Sequence, residues 1–414
     1  MLLSVYHYLL GLLGCIIYGN PSKNIKIVAV TGTKGKTTVV ELVSSVLREA
    51  GHIVASSSSS HMIIGDRKTK NLSKTSTPGR FFLQHFLHKA IRANCDWVVI
   101  EMTSQAVLQH RHTFISLDAL LFTNIAPEHI DAHGSFQNYL SAKLELAKHV
   151  SHSKKRPRTI VANLDDEHGR EFLNFEAENL VGFSKKDAGT WHSDQTGTAL
   201  VLDGIGIKSR LPGEFNLYNI LATATFAKTL HIEPAVIGRG VEKVTYVEGR
   251  MESLPTAGNL GIKVIIDYAH TKDSFDAVYK LFGGQPIISV FGSTGGGRDK
   301  WKRSELGAIS EKYCSRIILT NDDPHNEDPK LIVADIISGI TDKSKVVVEI
   351  DRRKAINMGI KAGLELKAPG ITPVILLLGY GTYPYMTGPD GKQETWNEKK
   401  VAEEELSKFN SADL

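Results

Sequence analysis

Short runs of mostly apolar residues alternate along the chain with longer stretches in which apolar positions recur at helical spacing. A short apolar run bounded by turns is typical of a strand that is buried on both faces of a sheet. Nine such runs are present, at residues 26–30, 97–100, 119–122, 158–162, 264–266, 286–291, 316–319, 346–350 and 374–378. Helices of about 10–15 residues fit between most of them, an order of elements typical of parallel sheets covered on both faces. The pattern therefore predicts an α/β protein.

The apolar runs form two series that are separated by a different pattern. Residues 185–212 alternate polar and apolar positions between Asp and Gly turns, which predicts hairpins, and residues 219–230 form an Ala-rich helical stretch. A second series of strands begins near Met251. We therefore expect a central domain with a mainly parallel sheet at residues 26–250 and a Rossmann-like α/β domain at residues 251–414.

The N-terminal segment, residues 1–25, is predicted to contain an apolar helix. Residues 2–18 are nearly all apolar, and no Lys or Arg precedes them, so the charged start of a signal peptide is missing. A helix of that length rises about 25 Å, short of the ~30 Å core of a bilayer. We expect the helix to pack on the next domain through the apolar stripe Leu2, Tyr6, Leu9, Leu10 and Leu13. Membrane association is the alternative.

Composition narrows the class of protein. The 414 residues are 42% hydrophobic and 23% charged, as in soluble globular proteins. Lys and Arg number 49 against 45 Asp and Glu, without a long basic run, which argues against a nucleic-acid partner. The three cysteines, Cys15, Cys95 and Cys314, lack metal-ligand spacing. We therefore expect a cytoplasmic monomer that acts on small molecules, without disulfides or zinc.

A phosphate-binding loop is predicted between the first strand and the helix that follows it. Residues 30–38 read V-T-G-T-K-G-K-T-T. In such a loop, backbone N–H groups receive phosphate oxygens, a Lys reaches the β- and γ-phosphates, and a hydroxyl binds Mg²⁺. Lys36 and Thr37 fit the last two roles, although Val30 occupies the first glycine position of the usual G-x-x-x-x-G-K-S/T spacing. The predicted nucleotide contacts are Gly32, Thr33, Lys34, Gly35, Lys36, Thr37 and Thr38. The alternative is an ordinary strand-to-helix turn.

From this loop onward the sequence resembles the Mur ligase family, whose loop reads T-G-T-x-G-K-T-T/S. Further segments resemble family motifs in the same order along the chain. They are residues 101–106 (E-M-T-S-Q-A), 123–124 (T-N), 129–134 (H-I-D-A-H-G), Lys143, 163–166 (N-L-D-D), 211–219 (L-P-G-E-F-N-L-Y-N), 267–271 (D-Y-A-H-T) and 292–303 (G-S-T-G-G-G-R-D-K-W-K-R). The D-Y-A-H-T and D-x-P segments are most similar to the MurE type, the UDP-N-acetylmuramoyl-dipeptide:amino-acid ligases.

The resemblance implies an ATP-dependent amide ligase with ATP and Mg²⁺ as cofactors. A substrate carboxylate attacks the γ-phosphate to give an acyl phosphate and ADP, and the amine of an amino acid then displaces phosphate. In this reaction, positioning and cations carry most of the catalysis because charge builds up on phosphoryl oxygens. The central domain is thereby expected to be a P-loop-type ATPase domain and the C-terminal domain a ligase domain.

The resemblance also assigns a metal site to three residues besides Thr37. Glu101 ends a buried strand and would hold Mg²⁺, although a Glu there is more commonly a solvated helix cap. His129 would be a second ligand, although a lone His is usually structural. Lys143 would be carbamylated so that the new carboxylate holds Mg²⁺, whereas most helix lysines face solvent.

The remaining nucleotide and phosphate contacts are carried over in the same way. Asn124 belongs to the T-N motif. Asn216 and Asn219 precede the Ala-rich helix and would bind adenine, with N-capping as the alternative. Arg298 would stabilise developing charge, with an exposed loop as the alternative. In the C-terminal domain, the expected nucleotide contacts are Arg250, Asp267 and His270.

The expected substrate contacts come from further segments that resemble family motifs and from positions that differ from them. The turn Thr75, Ser76, Thr77 and Pro78 resembles the family's N-T-T-P, and Ser104 and Arg111 are expected on the same substrate. The amino-acid site is expected to include Asp322, Asp323, His325, Gly379 and Tyr383. His325 and Tyr383 stand where diaminopimelate-binding members have Arg and Glu, so we expect a different amino acid. About 25 residues precede the loop, too few to include the UDP-binding domain of the MurE type, so we expect recognition of a UDP-linked substrate to come from other surfaces, another protein or a lipid-linked substrate.

Three functions remain open from the sequence. The first is a ligase of cell-wall peptide synthesis, favoured by the D-Y-A-H-T and T-S-T-P segments. The second is a ligase of the same fold that acts on folate or builds a poly-amino acid. The third is a nucleotide-binding scaffold without catalysis, which the intact Lys36, Glu101, His129 and Lys143 argue against.

Overall fold

The computed structural model describes residues 2–409, with side chains from residue 4 onward. The chain divides into two compact units, Met1–Thr245 and Tyr246–Leu414. The three cysteines are free and buried. Each unit has its own sheet and is described by itself.

The first unit is built on an eight-stranded sheet. Its strands, together with a separate three-stranded group, are β1 (Lys26–Thr31), β2 (Val54–Ser57), β3 (His61–Ile64), β4 (Arg67–Lys70), β5 (Trp97–Glu101), β6 (Ala119–Phe122), β7 (Thr159–Asn163), β8 (Asn179–Phe183), β9 (Trp191–Ser193), β10 (Thr198–Leu202) and β11 (Ile205–Ser209). The large sheet has the order β4-β3-β2-β5-β1-β6-β7-β8. The strand β3 is antiparallel to its neighbours β2 and β4, and the other pairs of this sheet are parallel. Strands β9 to β11 form the hairpins expected near residues 185–212.

Helices cover this sheet. They are α1 (Leu2–Ile17), α2 (Lys36–Glu49), α3 (Arg80–Arg92), α4 (Ser104–Leu108), α5 (Ile130–His133), α6 (Phe136–Ser151), α7 (Gly169–Phe172), α8 (Glu214–Thr229) and α9 (Pro234–Glu242). One core cluster joins Ile27 and Ala29 of β1 with Leu83 and Phe86 of α3 and Leu146 of α6. These residues are fully or almost fully buried, so the cluster fixes the central strand against two helices.

The second unit repeats the α/β arrangement with its own core. Its elements are β12 (Glu252–Ser253), β13 (Lys263–Asp267), α10 (Lys272–Leu281), β14 (Ile287–Phe291), α11 (Lys302–Tyr313), β15 (Arg316–Leu319), α12 (Pro329–Ile337), β16 (Val346–Val348), α13 (Arg352–Glu365), β17 (Val374–Leu378), β18 (Tyr385–Thr387), β19 (Gln393–Thr395) and α14 (Glu398–Leu406). The sheet order is β12-β13-β17-β14-β15-β16, parallel except for β12. Val264, Val290 and Ile375 lie in its core.

The direction in which α1 packs differs from the prediction. The helix packs on its unit, but through Gly11, Gly14 and Cys15, which are buried. A Cβ on Gly11 would lie 3.0 Å from the Phe114 ring, and one on Gly14 would lie 3.3 Å from Phe81. The predicted packing stripe is wrong, because Tyr6, Leu9 and Leu13 are exposed and Leu10 is only half-buried; the side chain of Leu2 lies outside the described residues. Among the helices that the structure describes, none is long and apolar enough to cross a membrane.

Candidate active site

The predicted phosphate-binding loop lies between β1 and α2 at the carboxyl end of the parallel strands. Two of its glycines are required by their surroundings. Gly32 has a φ of +146°, and a Cβ there would overlap the hydroxyl of Thr123. Gly35 has a φ of +84°, and a Cβ there would overlap the amide of Asn219. Both positions combine a left-handed backbone with close contacts, so a larger residue would distort the loop.

Residues after β6 hold the loop in shape. The backbone N–H of Thr33 donates to the Asn124 carbonyl at 2.8 Å, and that of Lys34 donates to Asn124 Oδ1 at 2.9 Å. The Thr123 hydroxyl donates to the Lys34 carbonyl at 2.7 Å. β1 and β6 are paired in parallel, which brings the T-N segment directly beside the loop. In this structure Asn124 therefore positions the loop.

Two lysines converge on one carbonyl of the loop. Lys36 Nζ donates to Gly32 O at 2.9 Å and to Thr33 O at 2.9 Å, and Lys143 Nζ donates to Gly32 O at 2.8 Å. Lys143 is buried on α6, so the solvent-facing alternative is wrong for this lysine. Burial, followed by the positive charge of Lys36, lowers the pKa of Lys143 well below its usual value. The lowered pKa favours the neutral amine relative to an exposed lysine.

Oxygen ligands suited to a divalent cation meet at Thr37, the residue after Lys36. The Thr37 hydroxyl donates to Glu101 Oε1 at 2.7 Å, and the Ser59 hydroxyl lies 2.9 Å from that of Thr37. The backbone N–H of Ser59 also donates to Glu101 Oε1 at 2.9 Å. Glu101 is buried at the end of β5, so it is not a solvated cap. A hydroxyl and a carboxylate beside a phosphate-binding loop fit Mg²⁺, which prefers oxygen ligands.

His129, the remaining predicted metal ligand, is exposed. It has a φ of 58°, and its Nε2 lies 4.0 Å from Glu128 Oε1. Its ring centroid is 6.3 Å from that of Tyr139, and the Tyr139 ring in turn lies 4.7 Å from Lys143 Nζ. Residues 2–409 contain no group of three His, Cys, Asp or Glu side chains placed to hold a metal. The candidate ligand set is therefore mixed, and the amine of Lys143, which donates to a carbonyl, fits as a ligand only after carbamylation.

The predicted substrate turn packs against the same strand end. The Thr77 hydroxyl donates to the Glu101 carbonyl at 2.9 Å, and Arg111 donates to the Thr77 carbonyl. The Ser104 hydroxyl lies 3.1 Å from His133 Nε2. Burial, with a smaller contribution from Arg80, lowers the pKa of Arg111 to about 10. Two further residues of the turn, Ser76 half-buried and Pro78 buried, flank Thr77; the fourth, Thr75, accepts a hydrogen bond from Asn71 through its carbonyl.

The helix bearing the two predicted adenine contacts begins earlier than expected. α8 starts at Glu214, so Asn216 and Asn219 lie inside the helix rather than before it. Asn216 Nδ2 donates to the Pro212 carbonyl at 2.8 Å, and Asn219 Nδ2 donates to Asn216 Oδ1 at 2.9 Å. The N-capping alternative is wrong, because the N-cap is Gly213 and no side chain caps the helix. Both amides are buried, and Asn219 lies against the phosphate-binding loop at Gly35.

In the second unit, three predicted nucleotide contacts surround the end of β13. Asp267 accepts hydrogen bonds from the backbone of Met251 at 2.8 Å and of Ala269 at 2.7 Å. The Arg250 guanidinium lies 4.5 Å from the centre of the Tyr268 ring. His270 Nδ1 lies 2.7 Å from the Tyr268 carbonyl. The segment D-Y-A-H-T thus forms a turn in which the Tyr268 ring lies against Arg250.

The residues predicted for the amino-acid site also lie at strand ends of this unit. Asp322 and Asp323 are buried after β15, and the Asp323 carboxylate accepts from the backbone of Thr387 at 2.6 Å. A Cβ on Gly379 would lie 2.8 Å from Asp322 Oδ2. His325 lies against Gly296, and the Tyr383 hydroxyl bonds that of Tyr268. Burial raises the pKa of Tyr383, which keeps its hydroxyl neutral. Arg298 is exposed in the glycine-rich loop.

The sequence reasoning missed three residues of the first unit's site. Ser59 bonds both Thr37 and Glu101, and Tyr139 contacts both Thr33 and Lys143. Glu128 is buried and forms an ion pair of 3.3 Å with Lys34. The run of serines at residues 56–60 covers the end of β2 and the residues just after it, and this position at a strand end was the signal that could have revealed Ser59. Glu128 directly precedes the 129–134 motif without a local pattern of its own, whereas Tyr139 begins the segment Y-L-S-A-K that ends at Lys143 and resembles the family's Y-x-x-A-K.

Two family models match the chain. The one described as Mur ligase middle domain matches residues 30–227, and the one described as Mur ligase, glutamate ligase domain, matches residues 249–379. The first range contains the phosphate-binding loop, Glu101 and Lys143. The second contains Arg250, Asp267 and Gly379.

Curated relatives match over most of the chain. The chain is 33% identical over 413 residues to UDP-N-acetylmuramoyl-L-alanyl-D-glutamate–2,6-diaminopimelate ligase of Syntrophomonas wolfei, which covers 96% of this chain and 81% of the relative. It is 33% identical over 382 residues to the protein of that name from Aquifex aeolicus, which covers 90% of this chain and 76% of the relative.

Solved structures share the fold. A structure of UDP-N-acetylmuramoyl-L-alanyl-D-glutamate–2,6-diaminopimelate ligase has a TM-score of 0.60 at 24% identity, covering 93% of this chain and 78% of that one. Folylpolyglutamate synthase of Mycobacterium tuberculosis has a TM-score of 0.71 at 16% identity, covering 90% and 92%. The predicted α/β fold and the resemblance drawn from the motifs are confirmed. The chain belongs to the Mur ligase family of ATP-dependent ligases.

Proposed function

We propose that this protein joins an amino acid to a carboxylate of a peptidoglycan-precursor peptide, with ATP as the energy source and an acyl phosphate as the intermediate. The observation that carries the proposal is the grouping of Lys36, Lys143 and the Thr37–Glu101 pair around one glycine-containing loop. Cations and oxygen donors at the start of a helix match what phosphoryl transfer requires.

In this proposal the loop and Lys36 bind the terminal phosphates of ATP. The backbone N–H groups at the start of α2 receive phosphate oxygens, and the Lys36 ammonium neutralises charge on the transferred group. Thr37, Glu101 and His129 would hold Mg²⁺, which would neutralise further charge on the phosphoryl oxygens when bound. The neutral amine of Lys143 would react with CO₂ to give a carbamate and release one proton, and the carbamate would complete the oxygen ligand set.

The second unit supplies the proposed contacts to nucleotide and amino acid. Arg250, Asp267 and His270 surround one turn, and the guanidinium of Arg298 would meet the charge of the acyl phosphate. The relatives' printed names specify diaminopimelate as the amino acid. We propose a different amino acid here. His325 and Tyr383 supply neither the guanidinium nor the carboxylate that would bind the distal end of diaminopimelate. The neutral Tyr383 hydroxyl, already bonded to Tyr268, suits a less charged side chain.

The test is phosphate release from ATP in the presence of UDP-linked wall-precursor dipeptide and a panel of amino acids. We expect release that requires the acceptor, one amino acid and Mg²⁺ together, and loss of release in Lys36→Ala. Release without an acceptor would indicate a plain ATPase, and no release would favour a scaffold. Activity with a folate acceptor would favour the alternative ligase. A strong preference for diaminopimelate would overturn the assignment of the amino acid.

We further propose that the protein works as a monomer on the cytoplasmic side, where ATP and nucleotide-linked precursors are available, and that it binds no nucleic acid. The near balance of 49 basic and 45 acidic residues supports the last point. Light scattering after size exclusion, with and without ATP, measures the oligomeric state directly.

A further inference from the structure

Helix α1 exposes its apolar face, whereas an ordinary surface helix turns that face toward the protein core. Its small and polar positions face the protein: Gly11, Gly14 and Cys15 are buried, and His7 contacts Arg80. Most of its large apolar side chains face outward, whereas Leu10 and Leu12 are half-buried. The exposed ones are Val5 (51%), Tyr6 (56%), Tyr8 (41%), Leu9 (54%), Leu13 (48%), Ile16 (67%) and Ile17 (57%). A contiguous apolar face of this kind on a folded domain marks an interaction surface.

The apolar surface continues onto α3. The ring of Tyr18, just after α1, contacts the ring of Phe81 at 5.4 Å between centroids, and Gly14 packs directly on Phe81. Phe81 and Phe82 are themselves exposed. We call α1 together with Phe81 and Phe82 the α1 surface. It is held by packing against α3 and the segment around Phe114, so it is a rigid part of the first unit.

The elements that build the α1 surface carry positive charge and no negative charge. Residues 1–40, 67–95 and 102–117 contain no Asp or Glu, although the whole chain has 45. Three basic side chains near the surface in sequence are exposed, namely Lys23 after α1 and Lys89 and Arg92 on α3, whereas Arg80 beside Phe81 is half-buried. A large apolar face built on segments whose charged side chains are all basic suits the interface of an anionic membrane, which combines an apolar interior with negative headgroups.

We propose that the α1 surface binds an anionic lipid bilayer, with α1 lying in the plane of the interface and its outward side chains entering the acyl boundary. At about 1.5 Å per residue a helix of this length is too short to cross the ~30 Å core. A second copy of the chain is the competing occupant. It would bring the same positive charges face to face, whereas anionic headgroups complement them. The proposal is independent of the ligase activity, since none of these residues belongs to the site described above.

The test is flotation of the full-length protein with vesicles. We expect the protein to float with vesicles of phosphatidylcholine and phosphatidylglycerol, and to float less with phosphatidylcholine alone or at high salt. The double variant Leu9→Glu/Leu13→Glu should lower the partition coefficient by about tenfold or more. The matched control is Leu331→Glu, because Leu331 is an equally exposed leucine (62%) on α12 of the second unit. The control should bind like the wild type.

A second variant separates charge from apolar contact. Lys89→Glu/Arg92→Glu leaves the apolar face intact, so it should remove most of the preference for anionic vesicles. Circular dichroism and thermal unfolding check that all variants fold; if the leucine variant does not, the charge variant decides. Three results would overturn the proposal: no flotation with anionic vesicles, equal flotation of the wild type and both double variants, or a dimer in light scattering that Leu9→Glu/Leu13→Glu dissociates in a protein that does not bind vesicles.

Discussion

At the scale of single residues, the unusual feature of the first unit is a buried lysine that shares a carbonyl with the lysine of the phosphate-binding loop. A protonated amine in that position is disfavoured by burial and by the charge of Lys36. A carbamate would reverse the sign of the charge and turn a repulsive neighbour of Lys36 into an attractive one.

Lys143→Ala should therefore abolish phosphate release, and short carboxylic acids such as acetate should restore part of it by supplying the missing carboxylate in the space left by the side chain. The matched control is Lys148→Ala, because Lys148 lies on the same helix with its side chain exposed. Full activity of Lys143→Ala, or rescue by chloride as effective as rescue by acetate, would contradict the carbamate.

Ser59 is a second residue with a specific expected effect. Its hydroxyl bonds Thr37 and its backbone bonds Glu101, so it orients both oxygen donors of the proposed Mg²⁺ site. We expect Ser59→Ala to raise the Mg²⁺ concentration for half-maximal activity by about tenfold, the usual size of an effect from a residue behind the ligands. Ser151→Ala, at the C-terminal end of α6, should leave this Mg²⁺ concentration unchanged. A lower rate with the same Mg²⁺ requirement would place Ser59 on the substrate instead.

At the scale of elements, a buried ion pair fastens two helices to the end of a strand in the second unit. Arg352 at the start of α13 bonds Glu398 at the start of α14 at 2.6 Å and also donates to the carbonyl of Leu378 in β17 at 3.2 Å. Both side chains are almost completely buried. Removing one partner from such a pair leaves an uncompensated charge in the interior.

Glu398→Gln should therefore lower the free energy of unfolding of the second unit by about 3–5 kcal/mol. The matched control is Glu404→Gln, which removes one partner of an exposed ion pair of Arg353 and should cost no more than about 1 kcal/mol. Urea unfolding followed by circular dichroism measures both. Equal small losses in the two variants would show that the buried pair is solvated.

The elements also show what the sequence could and could not predict. Buried strands such as Arg316–Leu319 and Val374–Leu378 were predicted with their exact bounds, because a strand covered on both faces is a short apolar run between turns. The edge strand Arg67–Lys70 was missed because all of its side chains are exposed and polar. For α1 the spacing located the apolar face correctly but not its burial. Periodicity shows that apolar residues share one face of a helix, but it does not show whether that face packs on the protein or is exposed.

The parts of the site that are local in sequence were also easier to predict than those that come from distant elements. The loop 32–37 is local in sequence and was predicted as a unit, whereas Ser59, Glu128 and Tyr139 join it from separate elements. The sheet order places β5 and β6 on either side of β1, and only that order brings residues near 59, 101, 124 and 143 to one loop. Distance along the chain hides such partners unless a known motif includes them.

At the scale of the whole molecule, the two units have separate sheets and separate hydrophobic cores. The proposed chemistry nevertheless draws on both, with Lys36, Glu101 and Lys143 in the first and Arg250, Asp267 and Arg298 in the second. Each unit should therefore fold on its own, whereas activity should require both units.

Residues 1–245 and residues 246–414, produced separately, should each unfold in a single cooperative transition, because each fragment keeps a complete core of the size typical of a domain. Neither fragment alone should release phosphate in response to acceptor and amino acid, since each lacks half of the proposed contacts. The fragment 1–245 should still bind ATP, and Lys36→Ala in that fragment should abolish the binding, which calorimetry measures directly. Substrate-dependent turnover by either fragment would show that the proposed chemistry does not need both units. A fragment without a cooperative transition would show that its core is not complete.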